Sequence, residues 1–256
     1  MMTTQHTLQW NCFGYNTHQL ELNMLVNNYS PLIINIQETK FNINFQPKYN
    51  HYIPYFKNHN SQTIAHGGVL TFVHETITSC EIPLVTSLQA VAVKVSYPFE
   101  HVICNIYLPG SQNITESDLV NLINQLGTTY IIQGDFNGHN PLWGSDHLDS
   151  RGKLFEKIIN DYNLCLLNEG NPTHFSLQHR TFSCIDLTIT SPSIAACFEW
   201  SVSDDLHGSD HFPIFLTLLS NCFDKSRRQK WLIKKADWSL FQESLFFHDD
   251  LTNSCN

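Results

Sequence analysis

Positive charge is scarce in this sequence: 14 Lys and Arg stand against 23 Asp and Glu in 256 residues, a formal net charge of −9. Sequence-independent binding to nucleic acid relies on basic residues that release counterions from phosphates, so the balance weighs against it. It leaves phosphate chemistry open, because a metal-dependent site needs carboxylates and the 14 His can take up protons below neutral pH. The eight Cys (12, 80, 104, 165, 184, 197, 222, 255) include no C-x-x-C pair, and Cys104 and Cys165 lie in apolar runs. This disfavours a zinc ribbon or a disulfide framework and predicts buried, reduced thiols in an intracellular compartment. No run of about 18 apolar residues occurs and residues 1–10 are polar, so neither a membrane span nor a secretion signal is expected. Repeats and low-complexity tracts are absent as well.

What is present is a chain with 42% hydrophobic and only 14% charged residues, the balance of a compact fold. Its length suits one large domain, residues 1–220, followed by a tail, 221–256. The tail opens with a basic stretch (Lys225, Arg227, Arg228, Lys230, Lys234, Lys235). A solvated linker or a charged helix face is the preferred reading of that stretch over a DNA-binding patch.

Short runs rich in Val, Ile, Thr and aromatics predict strands at 8–12, 32–37, 51–56, 68–74, 88–95, 101–107, 130–134, 185–190, 198–203 and 212–218. Helical periodicity appears at 19–28, at 116–126 after the N-cap candidate Thr115, and at 153–162. About ten strands need two sheets, and so few helices cannot double-wind one. The expected architecture is therefore an α/β sandwich with helices outside.

The residues suited to chemistry fall at strand ends. Gly134-Asp135-Phe136-Asn137 closes the run Tyr130-Ile131-Ile132, and a spacing of two along a strand puts Asp135 and Asn137 on one face. One can take a proton while the other donates to a phosphate oxygen. Taken alone, the tetrapeptide favours a turn. Ser209-Asp210-His211 precedes the last apolar run, and strand alternation favours pairing of His211 with Asp186 rather than with its neighbour. An isolated Asp-His here would read as a strand cap. Glu38 ends a buried run and suits a Mg²⁺ ligand, with Asn11 able to orient a carboxylate. A solvated strand end and a satisfied buried amide are their plain alternatives.

In order, Trp10-Asn11, Gln37-Glu38-Thr39, Asn105-Ile106-Tyr107, Gly134-Asp135-Phe136-Asn137, Ser183-Cys184-Ile185-Asp186 and Ser209-Asp210-His211 resemble the endonuclease/exonuclease/phosphatase superfamily, which includes DNase I and the apurinic endonucleases. The resemblance runs from about Trp10 to Leu218. The string from Gly134 through Gly138-His139-Asn140-Pro141-Leu142-Trp143-Gly144-Ser145 is similar to the endonuclease of animal LINE-type (non-LTR) retrotransposons, as are Asn171-Pro172-Thr173-His174-Phe175 and Lys235-Ala236-Asp237-Trp238. The resemblance implies a DNase I-like four-layer sandwich, two mixed sheets face to face with helices outside. It implies an Mg²⁺-dependent DNA endonuclease, with Mn²⁺ as a substitute, that leaves 3′-hydroxyl and 5′-phosphate ends.

In that scheme Glu38 and Asp210 hold the metal, with Asn11 near it. Asp135 activates the attacking water, and Asn137, Tyr107 and His211 stabilise charge on the phosphate. Asp186 orients His211, while Thr173 and Ser209 line the phosphate or support these groups. DNA is the expected partner, beside a reverse transcriptase that follows the tail in related polyproteins, and the nucleus is the expected place of action. Departures at Cys12-Phe13-Gly14 and Leu108-Pro109-Gly110 touch DNA-facing loops and remove no catalytic group. A phosphatase of small or lipid substrates and an inactive transposon remnant are the rival readings.

Overall fold

The computed structural model describes residues 5–42, 44–58 and 66–219. In chain order it contains β1 (Gln5–Asn11), α1 (Gln19–Tyr29), β2 (Ile33–Gln37), β3 (Tyr52–Lys57), β4 (Val69–His74), β5 (Ser79–Ile82), β6 (Gln89–Val95), β7 (His101–Tyr107), α2 (Glu116–Ile123) and β8 (Tyr130–Asp135). There follow α3 (Ser150–Asp161), β9 (Cys165–Leu166), β10 (His174–Ser176), β11 (Thr181–Ser183), β12 (Asp186–Thr190), β13 (Phe198–Val202) and β14 (Ile214–Leu218). The tail expected at 221–256 lies outside the described residues.

Two six-stranded sheets are formed, ordered β13-β14-β1-β2-β4-β3 and β5-β6-β7-β8-β12-β9, and β10 and β11 make a separate hairpin. Both sheets are mixed: β1 and β2, and β7 and β8, run parallel among antiparallel neighbours. Helix α1 buries Leu22, Leu25 and Val26 against Leu8, Trp10, Ile34, Ile36 and Phe72 on the outer face of the first sheet. Helices α2 and α3 cover the outer face of the second through Leu119, Leu122, Phe155 and Ile158, packed with Cys104, Ile106 and Ile132. The result is the four-layer sandwich expected from the sequence.

The inner faces carry a gradient. Strand alternation sends every second side chain between the sheets, and along each central strand these change in character. Ile33, Ile103 and Ile131 form an apolar layer at one end. Next come Asn35, Asn105 and Gln133, and then the last inward residues, Gln37, Tyr107 and Asp135. The middle layer is hydrogen-bonded across the sandwich: Asn35 Nδ2 donates to Gln133 Oε1 at 3.0 Å, Gln37 Nε2 to Asn105 Oδ1 at 2.7 Å and Gln9 Nε2 to the Gly134 carbonyl at 3.1 Å. Buried amides need such partners, and here the partners fix the position of one sheet on the other.

Four strands go beyond the ten expected. β5 pairs only with β6 and is half exposed, β9 has two residues, and β10 and β11 are short and partly exposed. None buries one full face, so none shows the alternation by which strands are read. α3 starts at Ser150, earlier than expected, because the Asp149 side chain caps it by accepting from the Gly152 amide. Cys12, Cys104 and Cys184 are buried free thiols, whereas Cys80 is exposed.

Candidate active site

Five strand ends and the loop entering β14 converge. Asp135 ends β8 and is the register partner of both Tyr107, ending β7, and Asp186, starting β12. Gly134 allows this closeness, since a Cβ there would run into the Ile106 carbonyl of β7. Asn11 ends β1 beside Gln37, and Glu38 follows β2.

His211 sits between two carboxylates. Its Nδ1 is 2.8 Å from Asp186 Oδ2 and its Nε2 is 3.9 Å from Asp135 Oδ2. The three side chains are almost fully buried. Burial by itself disfavours the imidazolium, but the charge of Asp186 and its hydrogen bond, reinforced by Asp135, outweigh it and raise the His211 pKa. Asp135 is raised as well, first by burial and then by Asp186, with His211 opposing. The Asn11 amide donates to Asp135 Oδ2 at 2.9 Å and to Glu38 Oε1 at 3.4 Å. Tyr107 donates its hydroxyl to the same Glu38 oxygen at 2.8 Å, and burial followed by the Glu38 charge raises its pKa far above the ordinary value.

The surrounding side chains hold this cluster in place. Thr173, fully buried, accepts the Ile185 and Asp186 amides at 3.1 Å each. Ser209 donates to the Asn11 carbonyl at 2.7 Å and accepts the His211 amide. Asp210 is 42% exposed and lies 3.9 Å from His174 Nε2.

Asn137 corrects one expectation. Its φ of 48° is left-handed, so strand alternation ends before it, and the shared-face argument with Asp135 does not apply. It is tied to Asp135 through its backbone amide, which donates to Oδ1 at 3.0 Å.

Three neighbours went unread in the sequence. Lys40 Nζ stands 3.3 Å from Glu38 Oε2 and 3.0 Å from the centre of the Phe13 ring, and Phe13, Glu38 and Lys40 are all left-handed. The His174 ring lies 4.7 Å from that of His211, and its pKa is lowered by burial and by His211. Arg151 donates to the carbonyls of Leu108, Pro109 and Phe136 at 2.8 Å, stapling the loops after β7 and β8. Only His174 had a signal, its place in Asn171-Pro172-Thr173-His174-Phe175.

Oxygen donors with a cation already at Glu38 suit a hard divalent ion. Among the described residues, Glu38 belongs to no group of three or more His, Cys, Asp or Glu side chains close enough to share an ion, whereas Asp210 groups with His174 and His211, and Asp135 with Asp186 and His211.

A two-sheet α/β sandwich with these residues at its strand ends is the DNase I-like fold. A family model described as endonuclease-reverse transcriptase matches residues 101–215. The RNA-directed DNA polymerase from mobile element jockey of Drosophila melanogaster is 25% identical over 248 residues, covering 94% of this chain. This chain spans only 27% of that relative's length. The endonuclease domain of TRAS1, a telomere-specific non-LTR retrotransposon, superposes with a TM-score of 0.70 at 23% identity, covering 83% of this chain and 96% of that one. An AP endonuclease from Leishmania major gives 0.70 at 13% identity, covering 83% and 86%. The chain is thus similar to the endonucleases of LINE-type retrotransposons and has the fold that they share with the AP endonucleases. No helix among the described residues is long and apolar enough to cross a membrane.

Proposed function

We propose that this chain is an Mg²⁺-dependent endonuclease that nicks DNA and leaves 3′-hydroxyl and 5′-phosphate ends. The observation that carries the reading is the His211 imidazole held between Asp186 and Asp135 at 2.8 and 3.9 Å. Asp135, with its affinity for a proton raised, takes the proton of the attacking water. His211, held charged by Asp186, donates to the phosphate oxygen on which negative charge grows, and Tyr107 and Asn137 add donors beside it. Asn11 keeps Asp135 and Glu38 aligned. Mg²⁺ or Mn²⁺ held by Glu38 and Asp210 would supply charge neutralisation at the phosphate when bound.

Similarity to polyproteins of mobile elements supports DNA as the substrate, a reverse transcriptase as the working neighbour and the nucleus as the place of action. The test is incubation of the chain with supercoiled plasmid and Mg²⁺, with and without EDTA, beside an inositol-phosphate release assay. Nicking that EDTA abolishes and Glu38→Gln weakens supports the reading. Phosphate release without nicking would move the chain to the phosphatases of this fold.

A further inference from the structure

A second cluster lies in the loop joining β8 to α3. A ring nitrogen of His139, a ring nitrogen of His147 and a carboxylate oxygen of Asp149 lie within 4.8 Å of one another. The two imidazoles stack with centroids 4.4 Å apart and planes 22° from parallel. His139 Nδ1 is 2.9 Å from Asp149 Oδ2, and His147 Nδ1 is 2.5 Å from Asp146 Oδ1.

Two donors each about 2.1 Å from a zinc ion, at a tetrahedral angle, stand about 3.4 Å apart. His139 and Asp149 are already closer than that, and His147 must turn its ring out of the stack on His139 to aim a nitrogen at the same point. Its side chain is 57% exposed, so it is free to do so and solvent can deliver an ion. The carboxylate is also oriented: Asp149 Oδ1 accepts the Gly152 amide as the cap of α3, while Oδ2 accepts the His139 amide at 3.1 Å and faces the ring of the same residue. Burial works against its ionisation, but the Gly152 and His139 donors outweigh this and hold its carboxyl below the usual range. Asp146 engages His147 Nδ1, so an ion on this ring would take Nε2, with the carboxylate behind it as carboxylates stand behind metal-bound histidines.

We propose that His139, His147 and Asp149 form a binding site for a divalent transition-metal ion of the zinc class, separate from the oxygen-donor site at Glu38. Two imidazoles and one carboxylate favour zinc, cobalt or nickel over Mg²⁺, which prefers an all-oxygen shell. The ion clips the loop that leaves Asp135 to the first turn of α3, so its effect is on the rigidity of that loop. The inference stands whether or not the chain nicks DNA.

The probe is Co²⁺, followed by its ligand-field absorption in excess Mg²⁺, with Zn²⁺ competition and thermal unfolding of the same samples. The wild-type chain should bind a single Co²⁺, release it to Zn²⁺, and gain about 5 °C in Tm at saturating zinc. His147→Ala removes an exposed side chain and should keep the metal-free Tm while weakening Co²⁺ binding at least about tenfold. Asp146→Asn, also at an exposed position, should weaken it to a smaller degree. Absence of Co²⁺ binding by the wild-type chain, or undiminished binding by both variants, overturns the proposal.

Discussion

Asp135 and Asp186 are direct register partners on the antiparallel strands β8 and β12, and His211 bonds to one of these carboxylates while it faces the other. Two buried carboxylates opposite each other repel unless a cation or a proton lies between them. The imidazolium answers that repulsion, and it opposes the rise in the Asp135 pKa that burial and Asp186 cause.

Loss of the imidazole should therefore be costly to catalysis. His211→Ala is expected to lower plasmid nicking at least about a hundredfold, since a positioned donor to a developing oxyanion contributes about 3 kcal/mol or more. Asp186→Asn should produce a related defect through a misoriented ring. The double variant should be little worse than either single one, because the two act as a unit. Wild-type nicking by His211→Ala, in a preparation free of contaminating nuclease, would sink the mechanism.

Lys40 competes for the Glu38 carboxylate that the proposed metal uses. A partly exposed ion pair of this kind is worth up to about 1 kcal/mol, so Lys40→Met should tighten metal binding by about twofold to fivefold. Mn²⁺ titration followed by electron paramagnetic resonance measures this without reference to activity. Weaker binding in Lys40→Met would show that the lysine supports the site instead.

The amide layer between the sheets should be sensitive to truncation. The Asn105 amide donates to the Ile36 and Leu70 carbonyls and its oxygen accepts from Gln37. Asn105→Ala leaves these buried groups without their partner and is expected to cost about 3 kcal/mol, read from urea unfolding. A change below about 1 kcal/mol would mean that water or repacking satisfies them.

Acid should destabilise the fold through His101, which burial holds below its ordinary value of 6.5. The unfolded chain takes up a proton near pH 6.5 that the folded chain does not. The unfolded state therefore binds more protons as pH falls below 6.5, and the stability present above that value is progressively lost. His101→Gln should flatten this part of the stability-against-pH curve, as measured by urea unfolding between pH 5 and pH 7. An unchanged slope would assign the acid sensitivity to other groups.

The strand ends were legible because buried strands leave a local mark. Tyr130-Ile131-Ile132 runs into Gly134-Asp135, and Leu187 and Ile189 alternate with Thr188 and Thr190 behind Asp186. The half-exposed strands β5, β10 and β11 left no such mark. Asn137 was misread because a left-handed residue is invisible to a rule that counts alternation. Lys40 was not read at all, since its approach to Glu38 depends on left-handed turns at both residues.

By itself the sequence determined the type and order of the principal elements and the position of the acids, amides and histidine at strand ends. Those properties follow from side-chain period and burial within a few residues of chain. Tertiary structure alone decided which of these groups meet. Asn11 reaches Asp135 across 124 residues and Gln37 reaches Asn105 across 68, because sheet register and the amide contacts between the sheets set those separations. Local periodicity carries no information about either, so the distances that make a catalytic site out of separate strand ends arise only when the two sheets pack.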